Sequence, residues 1–170
     1  MFGFPGNSLF RRSRGGLSVA HPSGLAILLS PLGAQDADAL AAHLRRLSPQ
    51  DRQTRFFNPM SDAAIDRYVE RIDWAGAILF GLRIEGTLRG VGELVADGEI
   101  AVTVEEGWRH LALGRVLVAA LLVAAKARGL RSAKLFYLNE NVPMRALVGD
   151  LGARLSADHG VTEARVPVGR

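Results

Sequence analysis

A loop with fixed positive charge separates a predicted strand from a predicted helix in the second half of the chain. The loop consists of Arg109, His110, Leu111, Ala112, Leu113, Gly114 and Arg115. The first turn of a helix has backbone N–H groups without partners, at the positive end of the helix dipole. The small residues Ala112 and Gly114 let a ligand approach this backbone, and the two arginines bring positive charge to it. The sequence therefore predicts a site for a phosphate or diphosphate group.

The residues on both sides of this loop predict the elements that position it. Residues 99–104 are mostly β-branched or small and show no helical apolar stripe, which is typical of a short buried strand. From Leu113 onward apolar residues recur at helical spacing, and Gly129 follows the last of them. Because this helix, predicted over 112–128, is apolar nearly all round, we expect it to be buried.

The remaining periodicities predict a mixed α/β chain around this unit. The predicted strands cover residues 25–29, 75–84, 88–96, 99–104, 132–138, 154–157 and 161–168. The predicted helices cover residues 37–47, 49 onward, 61–72, 112–128 and 141–151. An Asp-Gly pair at 97–98 marks a hairpin. Because a helix joins strands 99–104 and 132–138, these two strands are predicted to run parallel.

Composition excludes several kinds of chemistry. The 170 residues are 48% apolar and 22% charged, as in an ordinary globular domain. The chain has no cysteine, so disulfides, thiolate metal ligands and cysteine nucleophiles are excluded. The histidines show no spacing typical of a metal site or of a Ser-His-Asp triad. We therefore predict no metal and assign no histidine a catalytic role.

Most of the net charge of +4 lies near the N-terminus, in Arg11, Arg12 and Arg14. Residues 1–16 lack periodicity and predict a flexible basic arm ahead of a single domain at 17–170. A nucleic-acid contact by this arm is a less favoured alternative. The first residues show no secretory signal, and the longest uncharged apolar run, 116–125, is about half of what spans a bilayer. A cytoplasmic protein without a membrane partner is predicted.

Three segments together resemble the GCN5-related N-acetyltransferases, a family that binds the diphosphate of acetyl-CoA. The pattern Arg109-x-x-Ala112-x-Gly114 is similar to the family's Gln/Arg-x-x-Gly-x-Gly/Ala signature, with alanine where glycine is usual. Residues 139–153 are similar to its later strand–helix segment. Residues 47–57 are similar to the first helices of a bacterial subgroup that includes protein-lysine acetyltransferases.

The resemblance, over roughly residues 24–168, implies an α/β (α+β) fold with a mixed, mostly antiparallel sheet and flanking helices. Its central parallel strands, 99–104 and 132–138, would splay apart and hold acetyl-CoA between them. Backbone groups near Val102 and Val104 would bond the pantetheine arm, and an N–H there would polarise the thioester carbonyl. Asn141 either caps the helix that it precedes, or bonds the CoA arm, or does both.

Acyl transfer from a thioester requires an amine that is neutral when it attacks. Because the pKa of a lysine amine is about 10.4, a base or a water chain must remove its proton near pH 7. Glu99 occupies the position where the subgroup resembles Ala-Glu-apolar-Ala, so Glu99 is the predicted base, and Glu93 is the second candidate. The tyrosine that protonates the departing thiolate in much of the family is Val148 here. Tyr137 is interpreted as a packed aromatic residue, and solvent can also protonate a thiolate.

The sequence thus predicts an acetyl-CoA-dependent N-acetyltransferase that acts on a primary amine, with a protein lysine or a polyamine-like molecule as the favoured acceptor. A domain of the same fold that binds acyl-CoA without turnover is the alternative, because Ala112 and Val148 depart from the family pattern. The acyl-chain preference and the oligomeric state stay open, with a homodimer as one option.

Overall fold

The computed structural model describes residues 10–13 and 16–169. Within these residues the strands are β1 Phe10–Ser13, β2 Gly16–Ala20, β3 Ala26–Leu32, β4 Ile78–Ile84, β5 Thr87–Leu94, β6 Glu99–Val104, β7 Ser132–Leu138, β8 Arg154–Asp158 and β9 Val161–Pro167. The α-helices are α1 Ala37–Arg46, α2 Pro49–Phe56, α3 Asp62–Glu70, α4 Leu113–Ala127 and α5 Val142–Asp150. Two short 3₁₀ segments, Ala34–Asp36 and Glu106–Leu111, precede α1 and α4.

The strands form one sheet in the order β1-β2-β3-β4-β5-β6-β7-β9-β8. All neighbours are antiparallel except β6 and β7, which α4 connects in parallel. The β6–β7 ladder pairs only Glu99 with Lys134 and Ile100 with Leu135, and the strands then separate. The predicted mixed sheet with a splayed parallel pair at its centre is therefore confirmed.

The two faces of the sheet carry different helices. On one face α4 lies close to the sheet, and Leu117 and Leu121 are fully buried against β5. Glycine at 92 permits this approach, because a Cβ there would lie 2.7 Å from a methyl carbon of Leu121. On the other face α1 and α3 bury apolar side chains against β3, β4 and β5. The position of α4 brings its N-terminus to the open end of the β6–β7 gap.

Helix α2 is held differently from the other helices. None of its residues is buried, although it contacts β6 and β7. The helix begins at Pro49, as predicted, and its N-terminus is capped by Ser48, whose hydroxyl accepts from the Asp51 amide. Arg52 adds hydrogen bonds to the carbonyls of Leu47 and Met60. This polar attachment places α2 beside the gap between β6 and β7.

The predicted flexible arm is wrong for residues 10–13, which form β1, and for Gly16, which begins β2, a strand that was not predicted from the sequence. Residues 1–9, 14 and 15 lie outside the described residues. The strand predicted at 25–29 continues to Leu32 through Pro31. Pro31 stays in register with Phe80 of β4, beyond the residues 26–29 that pair with β2. Over the described residues, no helix has the length and apolarity needed to cross a membrane.

Candidate active site

A cleft of about 720 Å³ opens where β6 and β7 separate. Helix α2 lines one side of it, and the start of α4 together with α5 lines the other. Two hydrogen bonds establish which way the β6 backbone points, because the Glu105 amide donates to Arg89 and the Glu99 carbonyl accepts from Val95, both toward β5. Since backbone direction alternates along a strand, the N–H and C=O groups of Val102 and Val104 point toward the cleft.

The predicted anion loop closes one end of this cleft. The 3₁₀ segment is followed by Ala112, whose φ of 55° lies in the left-handed region. This conformation costs an alanine about 1 kcal/mol, which explains why glycine suits this position. Among the residues that the structure describes, none accepts a hydrogen bond from the amides of Ala112, Leu113 or Gly114. The space beside the Gly114 Cα is open. Three donors are therefore available at the positive end of α4.

The side chains of the loop divide into two groups. Leu111 and Leu113 are buried in the core, so they offer the cleft only their backbone. His110 is exposed and lines the cleft, as do Ala112 and Gly114. The loop thus presents backbone amides and small residues at its surface, as a diphosphate site requires.

Both arginines of the loop are paired with carboxylates. Arg109 forms an ion pair with Asp51 of α2, and its Nε donates to the Val104 carbonyl at 3.2 Å. Arg115 donates to Asp150 of α5 at 2.5 Å. Because the arginine side chains are about half exposed, these pairs contribute little stability. An incoming anion would compete with Asp51 and Asp150 for the two guanidinium groups.

Glu99, the predicted base, lies at the start of β6 and lines the cleft. Within the described part of the chain, its carboxylate has no hydrogen-bond or ion-pair partner. Lys134, which faces Glu99 in the register, is instead bonded to Asp97 at 2.8 Å. The carboxylate of Glu99 is therefore free to accept a proton from a ligand.

Glu93, the second candidate, belongs to β5 and lies in a different environment. It is buried on the face of the sheet that α1 and α3 cover. It accepts from Arg55 at 2.8 Å and from the Tyr68 hydroxyl. Burial raises the pKa of Tyr68 well above its ordinary value, and the Glu93 carboxylate raises it further despite the opposing Arg55 charge. Tyr68 thus remains a donor to Glu93. This cluster borders a separate cavity of about 10 Å³, room for about one water.

The other predicted positions lie beside the cleft. Asn141 lines it and caps α5, because its side-chain oxygen accepts from the Met144 amide at 3.1 Å, so the predicted cap is confirmed. Val148 is fully buried in the apolar cluster between α4, α5 and the sheet. Tyr137 is 1% exposed and packs in the same cluster, as interpreted from sequence, but also borders the cleft.

A buried polar network on the α1 side of β6 was not predicted from the sequence. His43, which is 0% exposed, contacts Glu105 through Nδ1 at 3.1 Å and the Thr103 hydroxyl through Nε2 at 2.8 Å. Glu105 also accepts from Arg46 and Arg89. A usable signal was the position of His43 within the apolar stripe of α1, where an unpaired imidazole would be unfavourable.

The architecture defines an α+β protein whose central sheet is open between two parallel strands. No protein-family model matches the chain. The GNAT domain of PAT from S. lividans is 19% identical with a TM-score of 0.76, over 92% of this chain and 99% of that domain. PaiA N-acetyltransferase from Thermoplasma acidophilum, in complex with coenzyme A, is 14% identical with a TM-score of 0.62, over 83% and 98%.

A third solved structure, YncA from Salmonella typhimurium with its cofactor acetyl-CoA, is 13% identical with a TM-score of 0.67, over 85% of this chain and 95% of that one. These likenesses show that the chain has the fold of the GCN5-related N-acetyltransferases (GNAT), and the PAT domain is among the proteins that it resembles. The resemblance predicted from the sequence is confirmed at the level of the fold.

Proposed function

We propose that this protein is an acyl-CoA-dependent N-acyltransferase that uses acetyl-CoA and a primary amine. The observation that carries the proposal is the open β6–β7 gap, which leads to the unpartnered amides of Ala112, Leu113 and Gly114. A gap bordered by the backbone polar groups of an unpaired strand edge suits an extended amide-containing chain, and the start of α4 suits a diphosphate. The neighbours that hold CoA or acetyl-CoA support the same use of the fold.

In the proposed complex, the diphosphate binds the amides at the start of α4, with Arg109 and Arg115 adding charge. The pantetheine arm follows β6, where Val102 and Val104 offer their backbone groups. The acyl carbonyl accepts from an N–H of this edge. This arrangement directs the thioester toward the Glu99 end of the strand, where the carboxylate is free.

The chemistry then needs one base. Glu99 accepts a proton from the ammonium form of the acceptor, and the neutral nitrogen attacks the acyl carbon. The nitrogen of the tetrahedral intermediate loses a second proton to solvent in the cleft, and the intermediate collapses with cleavage of the C–S bond, which releases a neutral amide and the CoA thiolate. Because Val148 replaces the tyrosine of the family pattern, the thiolate takes its proton from solvent in the cleft.

We propose a cationic amine as the acceptor, either a protein lysine or a polyamine-like molecule. Glu99 and Glu140 line the cleft, and neither carboxylate has a side-chain partner among the described residues. The cleft arginines, by contrast, are each paired with an acidic residue. The unbalanced charge of the cleft is thus negative, which favours a positively charged acceptor.

The second candidate is a domain that binds acyl-CoA without turnover. Two observations favour it: the alanine at the left-handed position 112, and the burial of Val148 where an acid is usual. Both hypotheses predict CoA binding, but only the enzyme releases free thiol in the presence of an amine.

Two measurements on the wild-type protein test these candidates. Isothermal titration with acetyl-CoA should give saturable binding in the micromolar range, and the absence of binding at high micromolar concentration would reject both. A thiol-release screen with acetyl-, propionyl- and succinyl-CoA over amines and lysine peptides should then identify at least one acceptor. Binding without thiol release from any amine would favour the non-catalytic domain.

A further inference from the structure

Glu105 lies where β6 ends and the diphosphate loop begins. It is 8% exposed, although it is charged. Three residues from two elements donate to its carboxylate: His43 and Arg46 of α1, at 3.1 and 2.9 Å, and Arg89 of β5, at 2.8 Å. This carboxylate therefore joins α1 and β5 to the first residue beyond β6.

The backbone of Glu105 belongs to the same junction. Its amide donates to the Arg89 carbonyl at 3.0 Å, and its carbonyl accepts from the Trp108 amide at 2.9 Å. Trp108 lies in the 3₁₀ segment that leads into the loop, and its ring is 5.4 Å from the Arg89 guanidinium carbon. Arg89 thus contacts both the carboxylate just before this segment and an aromatic ring inside it.

The protonation states follow from these contacts. Burial would raise the pKa of Glu105, but the hydrogen bonds from His43, Arg89 and Arg46 outweigh it and lower the pKa to about 2. An ionised carboxylate only accepts, so the Nδ1 of His43 must carry a proton toward it. The other ring nitrogen of His43, Nε2, is hydrogen-bonded to the Thr103 hydroxyl. The network therefore also contacts β6 two residues before Glu105, at Thr103.

A cluster of this kind is a poor way to gain stability alone, because burying charges is unfavourable and apolar residues of similar volume often stabilise a core as well or better. Its location suggests another role. Thr103 lies on the part of β6 that has left β7, Glu105 directly follows that strand, and Trp108 lies in the segment that leads to the amides of residues 112–114. Through Glu105 and Arg89, the network connects β5 and α1 to the segment that leads to the diphosphate loop.

We propose that Glu105 is a positioning residue, which through Arg89 and Trp108 holds the loop so that the amides of residues 112–114 converge on the diphosphate of acyl-CoA. This inference rests on the proposed function. Glu105 does not contact the ligand in this account. Its loss should therefore weaken interactions of the diphosphate and leave those of the acyl-pantetheine portion in place.

The test compares two acyl donors in the wild-type protein and in Glu105→Gln. Acetyl-CoA carries the diphosphate, and S-acetyl-pantetheine lacks it. We expect Glu105→Gln to raise the KM for acetyl-CoA and the Kd for CoA about tenfold, since small misplacements of binding groups have effects of this size. The kcat with acetyl-CoA and the kcat/KM with S-acetyl-pantetheine should stay within about twofold of wild type. The control, Glu163→Gln, removes a carboxylate of an ion pair with Arg165 and should change none of these constants.

The outcomes separate the two claims. If wild type does not bind CoA, the proposed function fails. If wild type binds CoA and Glu105→Gln binds it equally well, or loses kcat/KM equally for both donors, the positioning role is overturned. Should Glu105→Gln fail to fold, Arg89→Lys keeps a positive charge for Glu105 while losing the planar group over Trp108, and the same donor-selective loss is expected. An equal loss for both donors in this variant contradicts the inference.

Discussion

The polar groups around β6 fall into two sets, those that border the cleft and those that are buried under α1 and α3. Along the gap with β7, the backbone groups of Val102 and Val104 border an open cleft, and Glu99, which lines the same cleft, has a carboxylate that is unpaired among the described residues. Toward α1 and α3, Glu93 accepts from two side chains and Glu105 from three.

This difference indicates which groups are available to a ligand. Folding satisfies the polar groups that the structure itself buries, because an unpaired buried group is unfavourable. Groups that remain unpaired in a cleft are instead accessible to substrates. We therefore assign chemistry and ligand binding to the groups that line the cleft, and support of the backbone to the groups that are buried under α1. The variants below test that division, beginning with the largest expected effect.

The largest effect is expected from Glu99→Gln, which removes the free carboxylate of the cleft. Loss of a general base typically lowers the rate by about 10² to 10⁴-fold, so kcat should fall by at least about 100-fold while the Kd for CoA stays within twofold. Steady-state thiol release and titration calorimetry measure the two quantities. The matched control is Glu140→Gln, which neutralises another unpaired carboxylate of the cleft. An unchanged kcat in Glu99→Gln would exclude this residue as the base.

The next effect concerns the diphosphate end of the cleft. In Gly114→Asp the new side chain enters open space at the start of α4, so the fold should tolerate it. A carboxylate at this end of the helix also interacts favourably with the helix dipole. The same charge repels a diphosphate, so the Kd for CoA should rise at least about tenfold while the Tm is unchanged or higher. Gly114→Asn supplies the shape without the charge and should bind much more tightly than Gly114→Asp. Equal affinities for CoA in the two variants would show that the diphosphate does not bind at this position.

A third prediction concerns stability on the α1 side. The folded pKa of Glu105, about 2, lies below its ordinary value of 4.5, so its contribution to stability is present above pH 4.5 and is lost as the pH falls toward 2. Glu105→Gln lacks this group. The difference in unfolding free energy between wild type and Glu105→Gln should therefore be constant above about pH 5 and shrink below it. Urea unfolding across pH 3–7 measures it, and a difference that grows toward low pH would contradict the assigned ion pairs.

The smallest effect is expected from Asp51→Asn, which releases Arg109 from its ion pair with α2. Exposed pairs contribute about 0.2–1 kcal/mol, so CoA should bind up to about fivefold more tightly once this competitor is removed. Asp66→Asn, which breaks an exposed pair with Arg45 away from the cleft, is the control. Weaker binding of CoA to Asp51→Asn would mean that Asp51 supports the loop rather than competing with the ligand.

Much of this fold could be predicted from local patterns. Strands β6 and β7 coincide with the predicted ranges, because their β-branched and apolar residues are bounded by clear turn signals. The caps at Ser48, Ser61 and Asn141 are read directly from residue type and position. Strand β1 was missed because residues 10–13 have no alternating pattern, and an edge strand needs none when its neighbour supplies the pairing.

The part of the site that consists of backbone groups could be predicted from the sequence. Free amides follow from the junction of strand, loop and helix, which the sequence shows. The partners of its charged side chains do not, since Asp51 and Arg109 are far apart in the chain, as are His43 and Glu105. Such pairs depend on the packing of α1 and α2 against the sheet, for which no local signal exists.

The proposed CoA site is tested by following backbone amides in ¹H–¹⁵N spectra while CoA is added to the wild-type protein. We predict saturable chemical-shift changes that are largest for the amides of Ala112, Leu113 and Gly114, smaller for Val102 and Val104, and slight for Glu93. If these three amide signals do not move at saturating CoA, or if the largest changes arise away from the start of α4, the diphosphate does not bind at this loop.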